Sequence, residues 1–161
     1  MRVTDTLSKE LIIPHLKGEN KVDVLTELAE AIAQSAPELD KDEISHVLLE
    51  REKLGSTGIQ DGIAIPHGKI DTLSKVLIAF GRNEEGIDFQ AHDNQKTHLF
   101  FVLLAPEDAS GYHLTILARL SRLLKEMEVR KKLLKAKNAE EIYQILCKEE
   151  AKLQESGVLQ S

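Results

Sequence analysis

Cysteine is nearly absent: Cys147 is the only one in 161 residues. No internal disulfide can form, which sets aside disulfide-stapled secreted folds and suits a reducing compartment. Positive charge is not in excess either. Lys plus Arg number 21 against 27 Asp plus Glu, a net charge of −6 at pH 7. Nucleic acid is excluded as the main partner, because phosphate backbones reward clustered cations. No apolar run approaches the roughly 20 residues that span a bilayer. The opening stretch Met1 to Glu10 has no apolar signal core. The chain has no internal repeat, low-complexity tract or interdomain linker. These absences describe a cytoplasmic chain without membrane insertion, folded as a single domain over residues 1–161. What is present suffices for a core: 42% of the residues are hydrophobic, and a chain of this length buries roughly 70% of its unfolded surface.

Short apolar runs alternate with helix-period segments, the pattern of an α/β or α+β domain. Leu11-Ile12-Ile13 reads as a short strand. Val22, Leu25, Leu28, Ala29, Ile32 and Ala33 recur at helical spacing, so 20–35 reads as an amphipathic helix. Asp40 with Glu43 reads as a capping box opening a second helix, whose stripe is Ile44, Val47 and Leu48 and which ends before Gly55. Ile63-Ala64-Ile65 is a short strand halted by Pro66. Val76 to Phe80 and Leu99 to Leu104 are continuous apolar runs, as in strands covered on both faces. Residues 83–97 read as a loop with a short strand at Ile87 to Phe89. Ser110 caps a helix carrying His113, Ile116, Leu117, Leu120 and Leu124 on one face. Further helices fall at 128–135 and 139–153, and residues 154–161 form a loose tail.

One segment carries chemistry: Gly55-Ser56-Thr57-Gly58-Ile59-Gln60-Asp61-Gly62, followed by Ile63-Ala64-Ile65-Pro66-His67-Gly68. Glycines at 55, 58 and 62 permit positive φ and close approach of backbone N–H groups to a ligand. The strand after them delivers His67 at its carboxyl end, where α/β sheets place ligands. Pro66 stiffens that stem, and Gly68 removes side-chain bulk just beyond it. The segment is not a nucleotide-binding P-loop. Five residues separate Gly62 from Gly68 where four are needed, and Ile70 stands where Ser or Thr is required.

Imidazole has an ordinary pKa of about 6.5, so roughly three quarters of it is neutral at pH 7 and can act as a nucleophile. Attack on phosphorus asks the protein for positioning and charge stabilisation. Ser56 and Thr57 offer hydroxyls. Arg51, in line with Leu48 and Ile44 on the helix, offers a guanidinium suited to bidentate phosphate contact. His113 lies at a helix's first turn, where anions are favoured.

A bland reading stands beside each of these. Pro14-His15 shows that Pro-His alone means little. His113 could be a packed helix histidine, Arg51 a surface salt-bridge residue, and Ser56 and Thr57 loop formers. His46, His92 and His98 have no motif context, and Cys147 reads as a small packing residue. The basic run Arg130, Lys131, Lys132, Lys135 and Lys137 is a solvated helix face or a dock for an acidic partner. A zinc site on His67, His113 and Asp61 has no close-spaced ligand pair behind it. Neither a metal nor a cofactor is expected.

At these residues the sequence resembles the IIA component of the bacterial phosphoenolpyruvate-dependent phosphotransferase system, in its fructose/mannitol/nitrogen class. The resemblance spans about residues 5–150. It is carried by Arg51-Glu52, Gly55-Ser56-Thr57-Gly58, Gly62-Ile63-Ala64-Ile65-Pro66-His67-Gly68, His113-Leu114 and Leu117-Ala118-Arg119-Leu120. It implies a single mixed sheet of about five strands flanked by helices on both faces. It implies a phosphotransferase whose phosphohistidine intermediate forms at His67, with His113 and Arg51 lining the pocket. Gln60 departs from the pattern, standing where relatives usually carry glycine, and Asp61 stands where asparagine is frequent. Because no transporter or carrier segment accompanies the domain, the nitrogen-regulatory branch is the first expectation. That implies phosphate received from an HPr-like phosphocarrier and an output through regulatory target proteins. The alternative is a free-standing sugar-specific IIA that passes phosphate to a IIB component.

Overall fold

Apolar stretches without polar alternation can only lie where both faces of a sheet are covered. The computed structural model describes residues 2–108 and 111–160. A short 3-10 helix, Val3–Asp5, leads into strands β1 (Leu7–Ile13), β2 (Ile63–Ala64), β3 (His67–Lys69), β4 (Leu77–Ile87) and β5 (Thr97–Ala105). The helices are α1 (Lys21–Ser35), α2 (Lys41–Lys53), α3 (Tyr112–Leu124), α4 (Met127–Lys135) and α5 (Ala139–Glu155). The five strands make one sheet in the order β1-β4-β5-β2, with β3 also on β5. β4 runs antiparallel to β5, whereas β1 is parallel to β4, and β2 and β3 are parallel to β5. The domain is α/β, as the alternating pattern implies, and its sheet is mixed, as the resemblance implies.

β5 is interior, and every residue from Leu99 to Ala105 is buried. Helices α1 and α2 pack together and on β1, β3 and β4, while α3, α4 and α5 pack together and on β1 and β5. All four phenylalanines lie in the core. Phe80 meets Phe101 edge to face at 4.8 Å, and Phe89 meets Phe100 at 5.4 Å, the geometry aromatic quadrupoles favour. Asn20 and Asn138 cap α1 and α5, accepting from the N–H groups of Asp23 and Glu141.

Several expectations change. β1 begins at Leu7, and β4 continues through polar Asn83-Glu84-Glu85 to Ile87 where a loop was expected. A register shift lies between Arg82 and Ile87. There Asn83 holds backbone, accepting from the Gly86 N–H at 2.8 Å and donating to the Gly18 carbonyl at 2.9 Å. A strand end whose side chains serve the backbone has no apolar alternation to reveal it. The capping box at α2 is not formed: the Asp40 carboxylate accepts from the Asp42 N–H. Ser110, the expected cap of α3, lies outside the described residues; Gly111 is the N-cap. The 154–161 stretch, expected to be loose, is fastened as far as it is described. Leu159 is buried, and the Gln160 carbonyl accepts from Arg119 at 2.6 Å. Among the described residues no helix is long and apolar enough to cross a membrane.

Candidate functional site

β2 and β3 are one edge strand broken in the middle. Ile63 pairs with Leu99, Ala64 with Phe100, His67 with Leu103 and Gly68 with Leu104, so the register against β5 is unchanged across the break. Pro66 has no N–H to give, and the Ile65 N–H turns away to the Thr57 carbonyl at 3.0 Å. The strand resumes at His67 rather than ending before it, which ties the histidine to β5 on a stiff backbone.

Gly68 brings the cation within reach. A Cβ at this position would sit 2.2 Å from Cγ1 of Val47 on α2, so only glycine lets that helix lie so close to β3. One turn along α2, Arg51 extends its guanidinium over the imidazole. Arg51 Nε donates to His67 Nε2 at 3.3 Å, and Nη1 donates to the Gly55 carbonyl at 2.9 Å. The bulk-free position after the histidine thus sets the spacing between nucleophile and cation.

The tautomer follows from the partners. His67 Nδ1 lies 2.9 Å from the Ile65 carbonyl, which can only accept, so Nδ1 carries the proton. Nε2 then keeps its lone pair and takes the long contact from Arg51. Burial pushes the His67 pKa below the ordinary 6.5; the Ile65 hydrogen bond opposes this, the Arg51 charge adds to it, Glu52 opposes it, and His113 adds to it. The ring is therefore neutral at pH 7, with one nitrogen fixed and the other facing out.

Arg51, His67, Gly68, Lys69, Leu103, Ala105 and His113 line one cavity of about 180 Å³. His113 reaches it because α3 starts shortly after β5 ends at Ala105, beside Lys69 of β3. Three of the five site residues read from sequence are thus brought together. Ser56 and Thr57 are not among the lining residues. The Ser56 hydroxyl donates to the Phe89 carbonyl at 2.8 Å and accepts from the Gly58 N–H at 3.0 Å. The Thr57 hydroxyl donates to the Glu52 carboxylate. Both hydroxyls hold the loop.

Among the loop glycines, Gly55 and Gly62 adopt positive φ and Gly58 does not. Gln60 is not at positive φ, so this departure from the family pattern needs no glycine. Asp61 is at φ 61°, with its N–H donated to Asp93 at 3.0 Å. Glu52 is the functional neighbour that sequence reasoning passed over. Its side chain is buried and accepts from Lys21 at 2.9 Å and from the Thr57 N–H at 3.1 Å. The signal was spacing: Ile44, Leu48 and Glu52 are the buried stripe of α2, and a carboxylate closing an apolar stripe asks for a partner. Among the described residues, no group of three or more His, Cys, Asp or Glu is gathered to hold a metal ion.

A stiff edge strand presenting a neutral imidazole beside a guanidinium, on a mixed α/β sheet, is the frame of a phosphotransfer domain. The family model "Phosphoenolpyruvate-dependent sugar phosphotransferase system, EIIA 2" matches residues 5–149, and the chain belongs to that family as a IIA domain of the phosphotransferase system. Within it, the chain is 42% identical over 146 residues to a nitrogen regulatory protein of Bradyrhizobium diazoefficiens, covering 91% of this chain and 95% of that one. The crystal structure of the nitrogen regulatory protein IIA-Ntr from Neisseria meningitidis superposes with a TM-score of 0.83 at 32% identity, covering 89% of this chain and 98% of that one. The fructose-specific EIIABC component of Bacillus subtilis is 37% identical over 146 residues, which are 91% of this chain but 23% of that protein.

Proposed function

We propose that this protein accepts a phosphoryl group on Nε2 of His67 from an HPr-like phosphocarrier and uses it in nitrogen-branch regulation, in the cytoplasm, through contacts with target proteins. The observation that carries this reading is the fixed tautomer: Nδ1–H donates to Ile65 at 2.9 Å, leaving Nε2 as the open nitrogen beside Arg51. Similarity to nitrogen regulatory proteins over nearly their whole length supports the branch.

The step balances on these groups. The Nε2 lone pair attacks phosphorus, and an N–P bond forms as the bond from phosphorus to the donor's leaving atom breaks, its electron pair departing with that atom. Nδ1 keeps its proton, and the Ile65 carbonyl stabilises the positive ring that results. Arg51 Nε exchanges its 3.3 Å contact with Nε2 for the incoming phosphoryl oxygens. His113 lines the same cavity and contacts the phosphoryl group from the first turn of α3.

The alternative is a sugar-specific IIA that passes phosphate to a IIB component, favoured by the 37% identity to the fructose-specific protein. Incubation with phosphoenolpyruvate and purified carriers of each branch separates the two. The expected result is one acid-labile phosphate, transferred faster from the nitrogen-branch carrier. Faster labelling by the sugar-branch carrier favours the alternative, and no label from either refutes the phosphoryl carrier. The regulatory output is tested by partner affinity with and without the phosphate, which adds roughly −1.5 to −2 charge; equal affinities would refute a switch.

A further inference from the structure

We infer that Glu52 is a positioning residue for this acceptor: through Thr57 and Ile65 it holds the His67 ring with Nε2 as the open nitrogen. The inference rests on the reading of His67 as the phosphoryl acceptor.

An unbroken hydrogen-bond chain runs from α1 to the imidazole. Lys21 Nζ donates to Glu52 Oε1 at 2.9 Å. Thr57 donates to the same carboxylate twice, from its N–H at 3.1 Å and from its hydroxyl. The Thr57 carbonyl accepts from the Ile65 N–H at 3.0 Å, and the Ile65 carbonyl accepts from His67 Nδ1 at 2.9 Å. Each link fixes the next. Glu52 sets where Thr57 lies, Thr57 receives the outward-facing Ile65 N–H in the bridge between Gly58 and Ala64, and Ile65 so held presents the carbonyl of its next peptide to Nδ1.

The chain is buried where it branches. The Glu52 side chain is 4% exposed and the Lys21 side chain 15%, and the ammonium lies 4.6 Å from the centre of the Phe89 ring. A buried ion pair is a costly way to hold a loop, since apolar packing does as well. Its placement next to Arg51 on α2 suggests a use beyond packing. Consecutive helix residues point about 100° apart, so α2 turns a cation to one side of the histidine and an anion to the loop behind it. The charged and titratable groups around the ring are Arg51 and Glu52 on α2, His113 on α3 and Lys69 on its own strand. Burial lowers the His67 pKa; the Ile65 hydrogen bond opposes it, and among these charged groups Glu52 does so too.

Nitrogen NMR of ¹⁵N-histidine-labelled, unphosphorylated protein reads the tautomer and titration midpoint of His67 with no phosphate donor present. Glu52→Gln is expected to lower the midpoint and reduce the Nδ1–H tautomer, and to slow phosphoryl acceptance by about ten- to a hundredfold, the scale of a misplaced reacting group. Thr57→Val removes the hydroxyl link and is expected to move both readings the same way by less, while Thr57→Ser restores them. If Glu52→Gln does not fold, the Val and Ser variants of Thr57 decide alone. Unchanged tautomer and midpoint in the folded variants would overturn the inference, whatever happens to the rate. If instead wild-type His67 takes no phosphate while the NMR shifts appear, the acceptor reading fails and the coupling stands.

Discussion

Arg82 and Arg119 have every guanidinium nitrogen engaged with the fold, whereas Arg51 does not. Arg82 is 2% exposed; it donates to the carbonyls of Pro14, Leu133 and Ala136 and lies 3.8 Å from Glu84, joining the exit of β1, β4 and the end of α4. Arg119 donates to Glu150 at 2.7 Å, to the Gln160 carbonyl at 2.6 Å and to Gln154 at 3.4 Å. Glu150 in turn accepts from the N–H groups of Val3 and Thr4, so one ion pair gathers the chain's first turn, α3, α5 and the tail. Arg51 is half-buried and donates to His67 and Gly55; among the described residues its Nη2 makes no hydrogen bond. An arginine whose donors are all taken by acceptors of the fold holds elements together, and one with a donor left at a cavity has the geometry the proposed acceptor site requires.

That division can be broken from either side. The largest effect on stability is expected from Arg119→Met, which leaves the fully buried Glu150 without its charge partner and should cost about 3–5 kcal/mol by denaturant unfolding. Phosphoryl acceptance per folded molecule should stay at the wild-type rate; a parallel loss would erase the distinction between the two regions. The same pair gives an acid signature. Burial works to raise the Glu150 pKa, yet Arg119 and the Val3 and Thr4 donors hold it below the ordinary 4.5. A carboxyl with a lowered folded pKa contributes stability above its unfolded value and loses it as pH falls through the folded one. The acid limb of the wild-type stability curve below about 4.5 should therefore flatten in Arg119→Met.

Next in size, Arg51→Lys should slow acceptance by about ten- to a hundredfold, roughly 1.4–2.7 kcal/mol in the barrier. Its unfolding free energy should change by less than about 1 kcal/mol. Smaller again is the effect of pH on the wild type. Because the His67 pKa is lowered, chiefly by burial, the acceptance rate should be level at pH 7 and above and fall on acidification, with its midpoint under 6.5. Stability follows the same sign: the unfolded histidine binds the extra proton first, so the contribution is present above 6.5 and is lost as pH drops below it. A midpoint above 6.5 would contradict the buried, neutral ring. The smallest change is expected from Ser56→Ala, about 1 kcal/mol of stability from the lost contact to Phe89, with acceptance unaltered. A large loss of acceptance there would return the hydroxyl to the phosphate.

Much of this was legible in the chain itself because the signals were local. Leu99 to Leu104 could only be an interior strand, and Pro66 with Gly68 marked a stiff, bulk-free frame around His67. Arg51 was placed by helical spacing. What stayed hidden depends on how loops fold back and on contacts between distant segments. Thr57 and a phosphate-binding hydroxyl look alike in sequence; the carboxylate that claims it, Glu52, is brought to it by the fold of the loop. Asn83 to Glu85 carry no strand pattern because Asn83 serves Gly18 and Gly86. The anchorage of the tail is written in Arg119, forty-one residues before the Gln160 carbonyl it holds.

The sharpest test is the position of the phosphorus atom. After labelling from the carrier, phosphorus–nitrogen correlation NMR should show the phosphoryl group on Nε2 of His67, with Nδ1 still protonated, and His67→Ala should take no acid-labile label. Phosphate bonded to Nδ1, or label retained by His67→Ala, would contradict an imidazole that is held by Ile65 and offered beside Arg51.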